Sequence, residues 1–228
     1  MAKKEIHVST PEEHKKRGLN STVNEALGFP IGDSFDKAIT DILESDAEAE
    51  GETVVIALID LDEFARINKN FGREEGDRVL IETGKYIQSK LPQEATVYRI
   101  GGDEFGIIFR GTEEREDIFL FLNELKKDFN LVLGDGSKMS MTIGMATAFE
   151  DANRCAELIR KADGALYRAK VNGRDRVAMA KEEKMVPKTS HFTQDQLSRL
   201  AKLSKREGIG EAILLREALD MLLKKYDI

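Results

Sequence analysis

The amino-acid sequence predicts an α+β fold, with a ferredoxin-like palm in the larger N-terminal part and a small helical module at the C-terminal end. Residues 54–59 form a continuous apolar run, which is typical of a central strand buried on both faces. The elements that begin with this strand follow the order β-α-α-β-β-α-β. This is the order of a palm whose helices pack on one face of the sheet and whose catalytic groups lie at strand ends.

Each predicted element of the palm has its own sequence signal. The first helix has apolar side chains at helical spacing, Phe71-Gly72 separates the next two helices, and a Gly-Gly-Asp-Glu turn separates the strands of a hairpin. We expect a helix at residues 34–49, a strand at 54–59, helices at 62–70 and 74–91, strands at 96–100 and 105–109, a helix at 113–129, a strand at 139–148, a helix at 152–171 and a strand at 176–179.

A charged junction at residues 180–184 has no apolar pattern, and the sequence restarts after it with a different pattern. The predicted domains are a charged N-terminal arm at 1–22, the palm at 23–180, a linker at 181–187 and the module at 188–228. The module is predicted to contain a short strand at 188–193, a helix at 195–207 with Leu197, Leu200 and Leu203 inward and Gly208 as its stop, and a helix at 211–226.

Composition argues against several classes of protein. The chain has 228 residues, enough for one ordinary domain and a small appendage. Its longest apolar run is too short to cross a bilayer and its N-terminus lacks a signal peptide, so we expect a cytoplasmic protein without membrane contact. A single cysteine, Cys155, and three scattered histidines argue against disulfides and against Cys or His metal sites. A net charge of −7 argues against nucleic-acid binding by the whole molecule, although a small basic module is compatible with it.

Carboxylates gather at the predicted hairpin turn, Gly101-Gly102-Asp103-Glu104. Adjacent acids at a turn repel each other unless a cation or a substrate offsets the charge. Asp60 and Asp62 follow the buried strand beside this hairpin, so three or four carboxylates would converge in a set that suits Mg²⁺ and phosphate. Lys170 and Arg174 suit the same phosphates. The alternatives are that residues 101–104 form an ordinary acidic turn and that Lys170 and Arg174 belong to a solvated helix face.

Four ordered blocks within residues 24–179 resemble the GGDEF domain of diguanylate cyclases. The blocks are Asp60-Leu61-Asp62-Glu63-Phe64-Ala65-Arg66-Ile67-Asn68, Phe71-Gly72-Arg73-Glu74-Glu75-Gly76-Asp77, Arg99-Ile100-Gly101-Gly102-Asp103-Glu104-Phe105, and Ala162-Asp163-Gly164-Ala165-Leu166-Tyr167-Arg168-Ala169-Lys170 with Gly173-Arg174. The resemblance implies an enzyme in which two GTP-loaded domains face each other. The 3′-hydroxyl of each GTP attacks the α-phosphate of the other, which releases pyrophosphate and gives cyclic di-GMP.

The resemblance also implies roles for individual residues. The implied catalytic residues are Asp103, which accepts the 3′-hydroxyl proton, and Glu104. The implied ligands of two Mg²⁺ per half-site, with Mn²⁺ as an alternative ion, are Asp60, the Leu61 carbonyl, Asp103 and Glu104. The implied GTP-binding residues are Phe64, Asn68, Asp77, Gly102, Lys170 and Arg174.

Asn68 and Asp77 are the implied guanine contacts among these residues. The Asp77 carboxylate can accept hydrogen bonds from guanine N1–H and the 2-amino group, which adenine lacks, so Asp77 favours cyclic di-GMP. The alternative is that Asn68 is only a polar residue at a helix end and that Asp77 is only a charge near a helix N-terminus.

Three departures from the family pattern affect these expectations. The lead-in reads Asn24-Glu25-Ala26-Leu27-Gly28-Phe29-Pro30-Ile31-Gly32-Asp33 and lacks the customary arginines, which leaves regulation through it in question. Ala65 stands where a lysine near the phosphates is common and Arg73 replaces a frequent histidine, which would weaken substrate affinity. Residues 92–95 do not contain Arg-x-x-Asp, so we expect no feedback through a primary inhibitory site.

The C-terminal segment, residues 188–226, resembles a ribbon-helix-helix module of bacterial repressors and plasmid antitoxins. Such modules are obligate dimers whose paired strands enter the DNA major groove, and a segment of about 40 residues cannot bury enough apolar surface alone. We therefore expect a homodimer. The implied DNA contacts are Lys188, Thr189 and His191. The module at 188–228 has eight basic and six acidic residues, which make a weak electrostatic footprint, so a dimerisation clasp without DNA binding is the alternative.

Three hypotheses for the whole chain follow. The first is a diguanylate cyclase that the module dimerises and targets to DNA. The second is a DNA-binding transcription regulator that uses the GGDEF domain to sense GTP or cyclic di-GMP with little or no turnover, and the third is a structural dimer with vestigial motifs. Intact Asp60, Asp103 and Glu104 favour the enzyme, whereas the altered lead-in and Ala65 favour the sensor.

Overall fold

The computed structural model of the chain describes residues 21–181, 188–207 and 210–225. The chain divides into two compact units, Met1–Lys181 and Glu182–Ile228. Most of the expected arm, most of the expected linker and the predicted helix stop at Gly208 lie outside the described residues. The predicted domain boundaries therefore stay predictions.

Six helices and five strands make up the described part of the first unit. They are, in chain order, α1 (Ser21–Leu27), α2 (Asp33–Leu43), β1 (Thr53–Leu61), α3 (Phe64–Phe71), α4 (Arg73–Lys90), β2 (Ala95–Arg99), β3 (Glu104–Gly111), α5 (Arg115–Asp128), β4 (Met141–Thr147), α6 (Cys155–Val171) and β5 (Val177–Met179). Each element predicted for the palm is present, with ends displaced by a few residues.

The region before β1 differs most from the sequence prediction. Helix α2 ends at Leu43 and not at residue 49, because the Ser45 hydroxyl donates to the Ile42 carbonyl at 2.7 Å and competes with helical bonding. Helix α1 was not predicted. Its signal is the four-residue spacing of Val23 and Leu27, which are both buried.

The five strands form one mixed sheet in the order β2-β3-β1-β4-β5. Strand β1 is central and pairs antiparallel with β3 and β4, while β2 pairs antiparallel with β3 and β5 pairs parallel with β4. The β1–β3 register aligns Ile59 with Phe105 and Asp60 with Glu104. The end of β1 therefore meets the start of β3, directly after the Gly-Gly-Asp-Glu turn.

Helices cover both faces of the sheet, so the expectation that they pack on one face is wrong. Ala57 and Ile59 of β1 belong to a core cluster that includes residues of α1, α3, α4 and α5. Ile56 and Leu58 belong to a second cluster with residues of α2 and α6. The physical reason is the continuous apolar run of β1, whose alternate side chains would face water under a single helical layer.

The described part of the second unit contains α7 (Gln194–Glu207) and α8 (Glu211–Lys225). A capping box starts α7: the Gln196 N–H donates to Thr193 Oγ1 at 3.2 Å, and the Thr193 N–H donates to Gln196 Oε1 at 2.9 Å. Residues 188–193 form no strand in the single chain, contrary to the prediction. A strand needs a pairing partner, and the described residues of this unit are otherwise helical.

Of the three leucines predicted to face inward on α7, Leu197 is 44% exposed in the single chain and Leu200 and Leu203 are half-buried. Leu219 of α8 is 53% exposed. Two helices without a sheet have too little apolar area to cover each other's leucines. Despite this apolar surface, none of the helices in the described ranges is both long and apolar enough to cross a membrane.

Gly144 predicts a measurable effect on stability. It lies in β4, where a β-carbon would come within 2.3 Å of both the Ala162 carbonyl oxygen and the Leu166 amide nitrogen of α6. Because these are backbone atoms, we expect Gly144→Ala to lower the free energy of unfolding by about 1–3 kcal/mol in urea denaturation. Gly134→Ala is the control, since its β-carbon would meet its nearest neighbour at 4.0 Å. Equal destabilisation by both substitutions would contradict the prediction.

Candidate active site

The β1–β3 register places the predicted metal-binding residues side by side. Asp60, near the end of β1, lies opposite Glu104, the first residue of β3. The Leu61 N–H donates to the Asp103 carbonyl at an N···O distance of 3.4 Å. Two adjacent strand ends therefore bring Asp60 together with Asp103 and Glu104, which lie more than 40 residues later in the sequence.

Asp60 is a largely buried carboxylate with a lysine partner. Its side chain is 14% exposed, and Lys170 Nζ lies 2.7 Å from Asp60 Oδ2. Burial raises the pKa of Asp60 to about 6, although the hydrogen bond and charge of Lys170 lower it. Burial and then the charge of Glu104 raise the pKa of Asp103 as well. The acids repel one another in a poorly solvated space, and Lys170 offsets part of their charge.

The chemistry of these donors fits a hard divalent cation. Carboxylate and carbonyl oxygens are the ligands that Mg²⁺ takes in proteins, and Mg²⁺ usually completes its shell with phosphate and water. Within the described ranges, however, no three His, Cys, Asp or Glu side chains are grouped to hold a metal ion. Lys170 Nζ occupies Asp60 Oδ2, so a metal ion at that oxygen would compete with Lys170 and would need further oxygens to complete its shell.

Asp62 is not a fourth member of this group, so of the three or four carboxylates expected to converge, three do. It is 8% exposed and accepts hydrogen bonds from the hydroxyls of Ser140 and Thr142, each at 2.6 Å. It also accepts one from the Asp175 N–H at 3.2 Å. These donors satisfy the hydrogen-bonding capacity of the Asp62 carboxylate. The carboxylate thereby ties the end of β1 to β4 and to the turn between α6 and β5.

The two predicted phosphate-binding cations lie in different settings. Lys170 is in the last turn of α6 and reaches Asp60. Arg174 lies beyond the helix, with a left-handed φ of 58° and an exposed side chain. Its N–H donates to the Ala169 carbonyl at 3.1 Å, which fixes the backbone of the turn. The structure brings Lys170 to the carboxylates and leaves the side chain of Arg174 in solvent.

The predicted guanine contacts come from α3 and α4. Phe64 is buried on α3, whereas Asn68 of α3 and Asp77 of α4 are half-buried. Gly72 connects the two helices with a φ of +87°, and its N–H donates to the Asn68 carbonyl at 3.1 Å. This tight connection brings Asn68 against Gly76, the residue before Asp77.

Arg99 is a residue of the site that sequence reasoning missed. It is 1% exposed, and its Nη1 donates to Asn24 Oδ1 at 2.7 Å while its Nη2 donates to the Gly102 carbonyl at 2.9 Å. Burial lowers the pKa of Arg99, and the charges of Asp77 and Asp103 raise it. Arg99 therefore links α1 to the acidic turn and lies close enough to Asp77 for their charges to interact. An arginine at the end of a strand with buried neighbours is the signal that could have revealed it.

In the second unit, the predicted DNA contacts Lys188, Thr189 and His191 are all exposed. A groove of about 750 Å³ lies between the two helices of this unit. Its apolar lining residues are Phe192, Leu197, Leu200, Leu203 and Leu215.

Comparison with known protein families identifies both units. Residues 33–176 match the family described as "Diguanylate cyclase, GGDEF domain". The chain belongs to the GGDEF family. Residues 184–227 match the ribbon-helix-helix domain family, so a ribbon-helix-helix domain follows the GGDEF domain.

Individual GGDEF proteins show the same similarity. A solved structure of the GGDEF domain of TpbB (YfiN) from Pseudomonas aeruginosa matches with a TM-score of 0.64 and 30% identity, covering 68% of this chain and 92% of that one. Diguanylate cyclase A of Treponema denticola is 34% identical over 134 residues, which are 57% of this chain and 36% of the relative. The probable diguanylate cyclase DgcI of Escherichia coli is 35% identical over 127 residues, which are 54% and 27%. This chain thus spans well under half the length of these curated relatives.

The Lys170–Asp60 ion pair predicts how the GGDEF domain responds to metal without nucleotide. Lys170→Met should tighten Mn²⁺ binding by about tenfold, because it removes a competing charge from a poorly screened carboxylate. Electron paramagnetic resonance titration of the nucleotide-free protein measures this. Lys161→Met, on the same helix, is the control and should leave the affinity unchanged. Unchanged or weaker Mn²⁺ binding by Lys170→Met would show that the lysine does not compete with the metal.

Proposed function

We propose that this protein is a diguanylate cyclase that condenses two GTP molecules into cyclic di-GMP, and that its ribbon-helix-helix domain dimerises it and brings it to DNA. The proposal depends on one observation above all, the meeting of Asp60, Glu104 and Lys170 at the end of β1 in a GGDEF family member. Diguanylate cyclases of this family use divalent metal ions, and the acidic residues supply oxygen ligands of that kind.

The proposed reaction is a nucleotidyl transfer that takes place twice. The 3′-oxygen of one GTP bonds to the α-phosphorus of the other, the bond from that phosphorus to the oxygen bridging the β-phosphate breaks, and pyrophosphate leaves. Asp103 accepts the 3′-hydroxyl proton, and its raised pKa makes it a stronger base than an ordinary aspartate. The charge neutralisation would come from two Mg²⁺ or Mn²⁺ ions held by Asp60, the Leu61 carbonyl, Asp103 and Glu104.

The remaining site residues bind and select the nucleotide in this proposal. Lys170 exchanges Asp60 for phosphate oxygens, and Arg174, exposed beyond α6, joins it on the departing pyrophosphate. Phe64 and Gly102 contact the substrate. Asn68 and Asp77 read the guanine edge, because the Asp77 carboxylate accepts from N1–H and the 2-amino group, a pairing that adenine cannot make.

Dimerisation by the second unit supports the proposed chemistry. Each GTP needs the other as its acceptor, so two loaded domains have to meet. The exposed leucines of α7 and α8 are a surface that a second copy of the chain can cover. Joining two cyclase domains through this surface raises their effective concentration and turns a bimolecular encounter into an intramolecular one.

DNA targeting is supported by the match to the ribbon-helix-helix family and by the exposure of Lys188, Thr189 and His191. A cytoplasmic location is part of the proposal, because it gives the protein access to GTP and DNA. The alternative is a DNA-binding regulator that senses GTP or cyclic di-GMP with little turnover. Retention of Asp60, Asp103 and Glu104 favours the enzyme over this alternative.

The cyclase proposal predicts a specific product. The purified protein with GTP and Mg²⁺ should form cyclic di-GMP and pyrophosphate, identified by chromatography and mass spectrometry. The double variant Asp103→Asn, Glu104→Gln should lose at least about 100-fold in turnover, because it removes the proton acceptor and metal-binding charge. Its control is Glu116→Gln, Asp117→Asn, an exposed adjacent acidic pair on α5. GTP binding without product in the unmodified protein would favour the sensor.

The dimerisation proposal predicts the effect of one apolar substitution. Leu219→Glu should convert the dimer to monomer in analytical ultracentrifugation, because a charge would have to be buried at the interface. It should also make turnover per molecule strongly dependent on protein concentration. Leu120→Glu, at a 60% exposed leucine of the first unit, is the matched control. A Leu219→Glu protein that keeps its helical circular dichroism and stays dimeric would contradict this interface.

A further inference from the structure

Gly76 lies near the N-terminus of α4, directly before Asp77, and its α-carbon faces α3. A β-carbon built at Gly76 would lie 2.0 Å from Asn68 Oδ1, 3.0 Å from Asn68 Cγ and 3.3 Å from Phe64 Cζ. These three nearest atoms belong to two side chains that we propose contact the nucleotide. The Asn68 amide therefore lies in the space that the β-carbon of any other residue would fill.

The backbone itself does not require glycine at this position. Gly76 is inside a helix and is not among the glycines with positive φ. Alanine would be favoured there by about 1 kcal/mol on helix propensity alone. Glycine is therefore unfavourable for the helix at this position, but it allows Asn68 to approach α4 closely.

From this contact we infer that Gly76 is a positioning residue for guanine selection. The inference rests on the proposed function, in which Asn68 and Asp77 read the base. The Asn68 amide lies against the backbone of α4 at Gly76, the residue before Asp77. In the proposed site, this approach lets Asn68 and Asp77 present to one edge of the same ring. A methyl group at Gly76 displaces the amide. Because the displaced atom is at the far end of a side chain, the fold accommodates the change at little cost.

Gly84 of the same helix provides a matched control. A β-carbon there would lie 2.7 Å from Leu27 Cδ2, 2.9 Å from Leu27 Cδ1 and 3.0 Å from Phe29 Cε2. Gly84→Ala therefore introduces the same chemical change and a comparable clash into α4, but against apolar side chains of the lead-in. It measures the general effect of a methyl group on this helix.

The test is nucleotide selectivity, measured as the ratio of the dissociation constants of 3′-deoxy-ATP and 3′-deoxy-GTP with the full chain and Mg²⁺. These analogues lack the attacking hydroxyl, so binding is measured without turnover. Gly76→Ala should reduce the preference for the guanine analogue by about tenfold, through weaker binding of that analogue, while its thermal midpoint stays the same or rises. Gly84→Ala should keep the unmodified protein's preference.

A double-mutant cycle with Asn68→Ala shows whether Gly76 acts through Asn68. If it does, adding Gly76→Ala to Asn68→Ala should cause no further loss of selectivity. An undiminished preference in Gly76→Ala, or an equal additional loss in the Asn68→Ala background, would overturn the inference alone. Equal binding of both analogues by the unmodified protein would overturn the proposed guanine site, and this inference with it.

Discussion

The antiparallel pairing of β1 with β3 is the constraint on which the candidate site depends. It holds Asp60 opposite Glu104 and beside Asp103, although the charges of these acids oppose their approach. The adjoining pair Ile59 and Phe105 is fully buried, so the apolar core holds the strand ends in register. The free energy of core packing thus maintains a local cluster of charge that would not form by itself. Sites with strained electrostatics of this kind commonly belong to catalysis or ligand binding.

Local patterns in the sequence predicted the strands and helices of the palm well. The apolar run of β1, the glycines of the hairpin turn and the helical spacing after them each act over a few residues. The pairing of helices with the two sheet faces was not predicted, because it depends on how much apolar area remains after the strands have paired. Helix α1 was also missed, since seven residues with two buried side chains give a weak periodic signal.

Only part of the candidate site could be predicted from the sequence, because sequence patterns are local and contacts between distant residues are not. Four sequence blocks named its residues, but contacts between blocks could not be read from spacing. The Lys170–Asp60 pair joins residues 110 positions apart, and the Arg99–Asn24 hydrogen bond joins residues 75 positions apart. Asp62 shows the opposite case, where proximity to Asp60 in sequence suggested a shared role. The hydroxyls of Ser140 and Thr142 bind its carboxylate instead, and no pattern within residues 60–64 reveals them.

The close contact at Gly144 has a consequence for the chemistry at the C-terminal end of α6. A lysine side chain has a fixed maximum length, so the distance between its helix and the sheet determines which atoms its ammonium group can contact. Gly144 keeps that distance short, because it lets the backbone of α6 pack directly on β4. Lys170 thereby arrives within hydrogen-bond range of Asp60. A buried residue without a polar side chain, packed against α6 one to two turns before Lys170, thus limits which atoms that cation can reach.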